Sequence, residues 1–445
     1  MITRQTIDEL STCLNQPEWL RARRHAAFDL YERLPMPTRA DEDYRRSDIR
    51  RLSLDQYAPV AVSTKMARSP RSLPPAARAL FGGASKRGGA DGGDLVQIDG
   101  SPAYAHLADD LAAKGVIFCS LCEAIQKHPE LVRPWLEDER VGKAEDKWSA
   151  LNGAMWSGGS FLYVPSGVEA ALPLRAAFIH ATPEAALFSR SLVIADDWSN
   201  VTYIDDYLST AAPDAPGFNA SVVDVIAKEG AAVRYCNLQN WGTGVWNFSR
   251  ERFFGKRDSS INILQVALGS RFTKAYVHAH LDEPGVNAEL LGLVFAGGNQ
   301  HIDHGTLQDH IVGQTLSDLL FKVALTDDAR SVYSGLIAIH PNAQRSDAYQ
   351  NNRNLLLSDT ARADSIPMLE ILANDVRCTH GSTTSSVDEE EVFYLQSRGL
   401  PRVQAERLIV DGFFASVLER IPLLSVRDRL AHAIGEKVAS IGLAA

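Results

Sequence analysis

Cysteine is scarce in this chain: 445 residues hold five, Cys13, Cys119, Cys122, Cys236 and Cys378. An odd, scattered set argues against a disulfide framework and fits a reducing compartment, so each thiol has to be judged as core, ligand or reactive group. No run of eighteen apolar residues occurs, which excludes a transmembrane helix. The opening "MITRQTIDEL" lacks the charged-then-apolar order of a secretory signal, and the expectation is a soluble, cytoplasmic protein with no membrane partner. Basic residues are in deficit, 45 Lys and Arg against 55 Asp and Glu, for a formal net charge of -10. A nucleic-acid footprint needs a basic stripe, so no nucleic-acid partner is expected. The local cluster Arg21, Arg23 and Arg24, set among carboxylates, reads as a solvated helix face. No GxxxxGKS/T phosphate loop is present, and "GGASKRGGADGG" has neither a strand before it nor a helix after it. If ATP is used, its site is expected on another chain.

The length implies two or three substructures around a large core. "NQPEWLRARRHAAFDLYERLPMP" places Pro17 where a first helical turn tolerates it and spaces Trp19, Leu20, Ala27, Leu30, Tyr31 and Leu34 helically before Pro35 and Pro37 stop it. This gives an N-terminal helical domain over residues 1–61. Residues 62–94, rich in Pro, Gly, Ser and Ala, read as a flexible linker. A small α/β connecting segment follows over 95–144, with a strand at "LVQIDG" and a helix from Leu121 to Trp135.

From 145 to 387 short apolar or alternating runs follow turn pairs such as Asp196 and Asp197, Glu229 and Gly230, Pro284 and Gly285, and Asp327 and Asp328. Many intervals are about fourteen residues or twice that, the signature of stacked rungs in a β-solenoid; a β-sandwich would use similar spacings. Residues 388–445 turn helical. Ser386 and Glu389 have capping-box spacing for a helix that runs to Ser397 and stops at Gly399. Pro401 opens a second helix with Leu408, Ile409, Phe413, Val417 and Leu418 on its apolar side, and Val426 to Ile441 forms a third.

Four constellations could carry chemistry. Cys119 and Cys122 form a lone CxxC without the second pair of a zinc site or a thioredoxin-like context, and read as core thiols at a strand-to-helix junction. His301, Asp303, His304, Asp309 and His310, with His278 and His280, could supply two histidines and a carboxylate to a metal; hydrogen bonding along a sheet is the plainer reading. The adjacent pairs Asp205 and Asp206, and Asp327 and Asp328, could serve a glycosidase in a solenoid cleft, although adjacent aspartates at turns commonly only solvate them. Finally "VRCTHGST" puts Cys378 and His380 on one side of an extended strand. The residues alone leave open a metal or sulfur ligand pair, a Cys-His nucleophile, and a core thiol beside a structural histidine.

At this block the chain becomes familiar. "NAQRSDAYQNNRNLLLSDTARADSIPMLEILANDVRCTHGSTTSSVDEEEVFYLQSRGL", and less specifically the N-terminal "QPEWLRARRHAAFDLYERLPMPTRADEDYRRSDI", resemble the SufB/SufD family, the scaffold subunits of SUF iron-sulfur cluster assembly, over nearly the whole length. SufB members typically carry a cysteine in the turn where this chain has Ala361, and a glutamate where it has Gly381, so the resemblance points to the SufD side. "STTSS" is closer to the SufB ending, and "DYRR" replaces the commoner Glu-Trp-Arg-Tyr.

The resemblance implies a mainly β protein, a right-handed parallel β-helix flanked by N- and C-terminal helical domains. It implies a non-catalytic subunit that pairs with SufB through the final rungs and docks SufC, an ABC-type ATPase, on the C-terminal helices. His380 would face SufB and help hold a transient iron-sulfur cluster or its iron, with Cys378 the neighbouring candidate; iron accepts thiolate and imidazole together. Gln239 and Trp241 resemble a stretch that lines the β-helix interior in SufB, a route for sulfur that Cys236 could share. Phe413, Phe414, Val417 and Leu418 are candidates for the surface that meets SufC. Flavin binding, and a homodimer when SufB is absent, are left open. The alternatives are a SufB-like subunit that builds the cluster mainly on its own residues and, from another class, a β-helix carbohydrate hydrolase.

Overall fold

Tight corners set the architecture. Trp198, Asp258 and Asp327 have φ of 60°, 55° and 55°, and Gly230 and Gly285 have 63° and 83°, each between two consecutive strands. The corners stack: a Cβ on Gly230 would lie 2.3 Å from the Trp198 ring, and one on Gly285 would lie 1.9 Å from Asp258 Oδ1. Only glycine allows both the left-handed backbone and the close approach.

The computed structural model describes residues 2–63, 66–79, 92–421 and 424–440. The chain begins with α1 (Arg4–Cys13) and α2 (Glu18–Arg33), then β1 (Ala58–Pro59), α3 (Pro75–Ala79), β2 (Gly93–Ile98), β3 (Ser101–Leu107), α4 (Asp109–Ala113), β4 (Ile117–Ser120), α5 (Leu121–Lys127), α6 (Pro129–Glu137) and α7 (Lys147–Met155). Next come β5 (Ser160–Val164), β6 (Leu174–His180), β7 (Ala185–Ala195), β8 (Asn200–Ser209), β9 (Gly217–Ala227), β10 (Ala232–Asn240), β11 (Val245–Gly255) and β12 (Ser260–Ala267). The coil continues with β13 (Phe272–Leu281), β14 (Asn287–Ala296), β15 (His301–His310), β16 (Leu316–Leu325), β17 (Arg330–Ile339), β18 (Asp347–Leu356), β19 (Arg362–Ile371) and β20 (Arg377–Ser386). Helices α8 (Glu389–Ser397), α9 (Arg402–Leu418) and α10 (Leu424–Ser440) follow.

Odd-numbered strands from β5 to β19 lie in one sheet and even-numbered strands from β6 to β20 in the other, each paired in parallel with the strand two ahead. This is a parallel β-solenoid of about 8 turns. Residues repeat in columns along it: Tyr203, Tyr235, Ile263, Leu290, Leu319, Gln350 and His380 are successive register partners. Because strands alternate faces with period two, one column faces the lumen and the next faces out. The lumen is filled by Val193, Val223, Tyr235, Phe253 and Val277 among others, all buried in a single cluster.

Helices cover the outer faces. Phe188, Phe218, Phe248 and Phe272 project outward from the odd sheet under the N-terminal helices, with Trp148 of α7 stacked 3.9 Å from Phe248. Burying each such ring contributes about 2 kcal/mol. Asn152 of α7 donates to the carbonyls of Ser189 and Ala220 at 2.8 Å, so the helix is pinned to two rungs. On the even sheet, Ile204, Leu238, Leu264 and Phe295 pack against Val410, Phe414, Leu430 and Ile434 of α9 and α10.

Several local readings change. Arg24 is no solvated residue: it is 0% exposed, donates to the carbonyls of Ala154 at 2.8 Å and Trp156 at 2.6 Å, and lies 4.4 Å over the Trp156 ring. Leu121 to Trp135 divides at Pro129 into α5 and α6, since proline supplies no N–H to continue the first helix. The cap of α8 is Asp388, which accepts from Glu390 N at 2.8 Å, while Ser386 ends β20. Helices α1 and α7 were not evident in the sequence pattern. Within 62–94, Leu73 and Ala77 are buried against Val96 and Ile179, and residues 80–91, the Gly-rich centre of the expected linker, lie outside the described residues. So does Ile441, the expected last residue of the third C-terminal helix.

Candidate functional site at the last rung

Strands β19 and β20 form the final turn, paired only to β17 and β18 among the described residues. Their burial falls away sharply. Cys378 and Gly381 are the only residues of β20 that are not fully exposed, and apolar side chains on and beside β19 reach solvent: Met368 43%, Ile371 40% and Leu372 58% exposed.

Cys378 and His380 occupy lumen-facing columns, above Ala348 and Gln350 respectively. Cys378 is half-buried against a cluster that includes Ile337, Ile339 and Ala348, so its sulfur lies at the rim of the interior. Burial, with Asp347 adding to it, raises its thiol above the usual value. That is the opposite of an activated nucleophile. His380 is exposed at the mouth. Beneath it Gln350 is 1% exposed and its Oε1 has no partner. Asn354 donates to Thr384 Oγ1 at 3.2 Å. The mouth is therefore polar, unlike the apolar lumen of the middle rungs. Ala361, in the turn before β19, is 8% exposed and packs near Ala329; it offers no donor there.

The interior residues separate. Gln239 faces the lumen and is held by Thr273 Oγ1 at 2.9 Å and by Gly269 N at 3.1 Å. Trp241 joins the same interior cluster, its ring 5.4 Å from Tyr207. Cys236 does not share that space: it lies on the outward column, in the cluster under α9 and α10, and burial lifts its thiol to about 12. Sequence parity alone separates position 236 from 239 and 241. Among the SufC-docking candidates, Phe414 and Val417 are 0% exposed and hold α9 to the solenoid, while Phe413 and Leu418 are half-buried beside them. Among the described residues, the large apolar side chains exposed on α8, α9 and α10 are Phe393 at 72%, Tyr394 at 57%, Leu408 at 49% and Leu424 at 61%.

Four histidines in and beside this cluster, His280, His301, His310 and His340, have hydrogen-bond partners of their own. His301 Nε2 lies 3.0 Å from Ser47 Oγ, and Asp303 pairs with Lys274 at 2.8 Å. His304 is buried, which lowers it to about 4. His310 bonds Thr315 at 2.7 Å and Ser317 at 2.8 Å. His280 and His340 lie 2.8 and 2.9 Å from the Asp309 carboxylate. No group of three or more His, Cys, Asp or Glu among the described residues has an arrangement suited to a metal ion. Cys119 and Cys122 are lifted by burial to about 12 and about 11. Asp205 and Asp206 point to opposite faces: Asp205 accepts from Tyr235 at 2.9 Å inside the lumen, and Asp206 pairs with Arg429 of α10 outside. They cannot flank one glycosidic bond. Asp327 sits in a corner and accepts from Gly298 N at 2.7 Å.

One lumen group, Glu251, escaped the sequence reading, and the lumen setting of Asp205 escaped it too. Glu251 reaches from the odd sheet to Asn237 at 2.5 Å and to Gln265. Burial raises Glu251 to about 8 and Asp205 to about 7, with Asp205 also repelling Glu251. The alternation of "YIDDY" and "SRERF" with their neighbours was the available signal.

A two-sheet β-solenoid flanked by N- and C-terminal helices defines the fold class of the protein. Residues 178–413 match the family described as SUF system FeS cluster assembly, SufBD core domain, and residues 96–176 match the SufBD protein N-terminal region. The iron-sulfur cluster assembly protein SufD of Bacillus subtilis (strain 168) is 31% identical over 424 residues, covering 95% of each chain. An iron-sulfur cluster assembly SufBD family protein of Staphylococcus aureus (strain MRSA252) is 28% identical over 429 residues, 95% of this chain and 90% of that one. The chain belongs to the SufBD family of iron-sulfur cluster assembly scaffolds. No helix among its described residues is long and apolar enough to cross a membrane.

Proposed function

We propose that this chain is a SufD-like scaffold subunit of a cytoplasmic SUF complex, and that its last rung joins the corresponding rung of a SufB-like partner to form a composite site for the nascent cluster. The observation that carries this reading is the last rung itself, two unpaired parallel strand edges with exposed apolar side chains around a polar mouth. An exposed edge of this kind is a template for another chain. His380 and Cys378 supply two donors, fewer than a cluster or an iron requires, so the remaining ligands come from the partner or from the cargo sulfur. A histidine ligand keeps such a site labile, which suits a cluster that has to leave. A SufC-like ATPase docks on the C-terminal helices through the exposed residues of α8 and α9, with Phe413 and Leu418 at the margin. Without the SufB-like subunit, the same edge is open to a second copy of this chain.

The test is the iron and sulfide content of the complex, purified anaerobically with both partners, wild type against His380→Ala. The expected result is loss of the cluster from an assembled complex. Unchanged content would make His380 structural and place the building site on the partner alone.

A further inference from the structure

A cavity of about 330 Å³ opens between α2, α7 and the segment around Gly142, far from the last rung. Its apolar wall includes Leu20, Leu30 and Trp156; Arg23, Lys143 and Arg190 also line it. The charge behind this wall is unbalanced. Arg250 pairs with Glu145 and Asp146, Arg252 with Glu145 and Asp224, and Arg190 with Asp224. Among the described residues, Arg23 and Arg24 have no carboxylate hydrogen-bond partner: Arg23 donates to Gly142 O at 3.1 Å, and Arg24 to Gln16 Oε1 and two carbonyls. Five guanidinium groups thus share three hydrogen-bonded carboxylates. Glu137, which attracts Arg23 through space, is itself bonded to Arg133 at 3.0 Å.

Arg190 is 6% exposed, and its Nε has no hydrogen-bond partner. Burial, opposed by Asp224 and reinforced by Arg252 and Arg23, brings its guanidinium down to about 10. Burial lowers Arg23 as well. Cations that repel one another in a desolvated wall are stabilised by an anion placed between them. Gly142 packs closely here: a Cβ on it would lie 2.0 Å from the Leu136 carbonyl oxygen and 2.5 Å from the Arg23 guanidinium.

We propose that this cavity binds a small organic anion, with a carboxylate or phosphate head on Arg23, Arg190 and Lys143 and an apolar body against Leu20, Leu30 and Trp156. The volume is at the lower end for small-molecule sites, which suits a short aliphatic or single-ring ligand. Guanidinium forks match either oxyanion in bidentate fashion.

Calorimetric titration of the full chain with octanoate, octyl phosphate, inorganic phosphate and octylamine tests it. Saturable binding of at least one octyl anion is expected, with inorganic phosphate and octylamine weaker by about tenfold or more. Binding of octyl phosphate alone assigns a phosphate head, and binding of octanoate alone a carboxylate head. Affinity is expected to fall about tenfold or more in Arg23→Gln. Ala26→Phe, at an exposed rim position that leaves the arginines in place, is expected to block the cavity. The proposal is overturned if neither octyl anion saturates, if octylamine binds as tightly as they do, or if both variants bind like the wild type.

Discussion

The two ends of the solenoid are built differently. At the first end, β3 lies antiparallel on β2 and β4 antiparallel on β5, so the chain folds back over its own sheet edges. At the other end, no strand among the described residues pairs with the outer edges of β19 and β20. The same alternation then gives opposite results: every residue of β9 in the middle is buried, whereas most of β20 is exposed. In a coil, burial belongs to the stack and not to the strand, because each rung is covered only by its neighbours and an outermost rung must find cover elsewhere. The antiparallel end carries its own cover; the open end leaves that task to another surface.

The sharpest break of this comparison is in the middle. Phe218 is 1% exposed between Trp148, Phe188 and Phe248, and Phe218→Ala is expected to cost about 3–5 kcal/mol, read as a fall in the urea midpoint. At the open end, Leu369→Asp with Leu372→Asp is expected to change stability by no more than about 0.5 kcal/mol while weakening association with the proposed SufB-like partner by about tenfold or more, measured by co-purification and titration. A similar association for the double variant would remove the last rung from the interface.

A smaller effect tests the closed lumen. Glu251 has its acid strength shifted from 4.5 to about 8, so the protonated form is favoured in the folded state. The fold binds more protons than the unfolded chain in that window, and its stability contribution is full below the unfolded value and lost as pH rises through about 8. Glu251→Gln should therefore gain stability relative to wild type steadily between about pH 5 and about pH 8. A constant difference across that range would mean the carboxyl is ionised inside. Smallest of all, Cys236→Ala is expected to cost about 1 kcal/mol and to leave cluster content unchanged, because its sulfur packs under α9 and α10; lost cluster would put Cys236 back on a sulfur route.

The coil was legible because its corners have a chemistry. Paired Asp, Asn and Gly residues between short apolar runs can do little else, and their spacing gave the rungs. That Cys378 and His380 share a face followed from their separation of two positions in a strand. Facing was harder. Cys236 was grouped with Gln239 and Trp241 by nearness, although odd and even positions diverge. Arg23 and Arg24 of "RARR" were misread because they donate to the backbone carbonyls of residues 142, 154 and 156, which sequence does not display. Helix α7 was hidden because eight of its nine residues are buried, between α2 and the sheet, and a helix covered on all sides has no polar stripe to set its period.

The C-terminal helices touch the coil at widely separated turns. Arg429 grips Asp206 on β8, Lys437 bonds Gln300 just before β15, and Arg420 holds Glu289 on β14 together with Asp318 on β16. Rungs that otherwise know only their neighbours are thereby splinted along much of the axis. A pull on α10 would therefore load several rungs at once instead of a single turn.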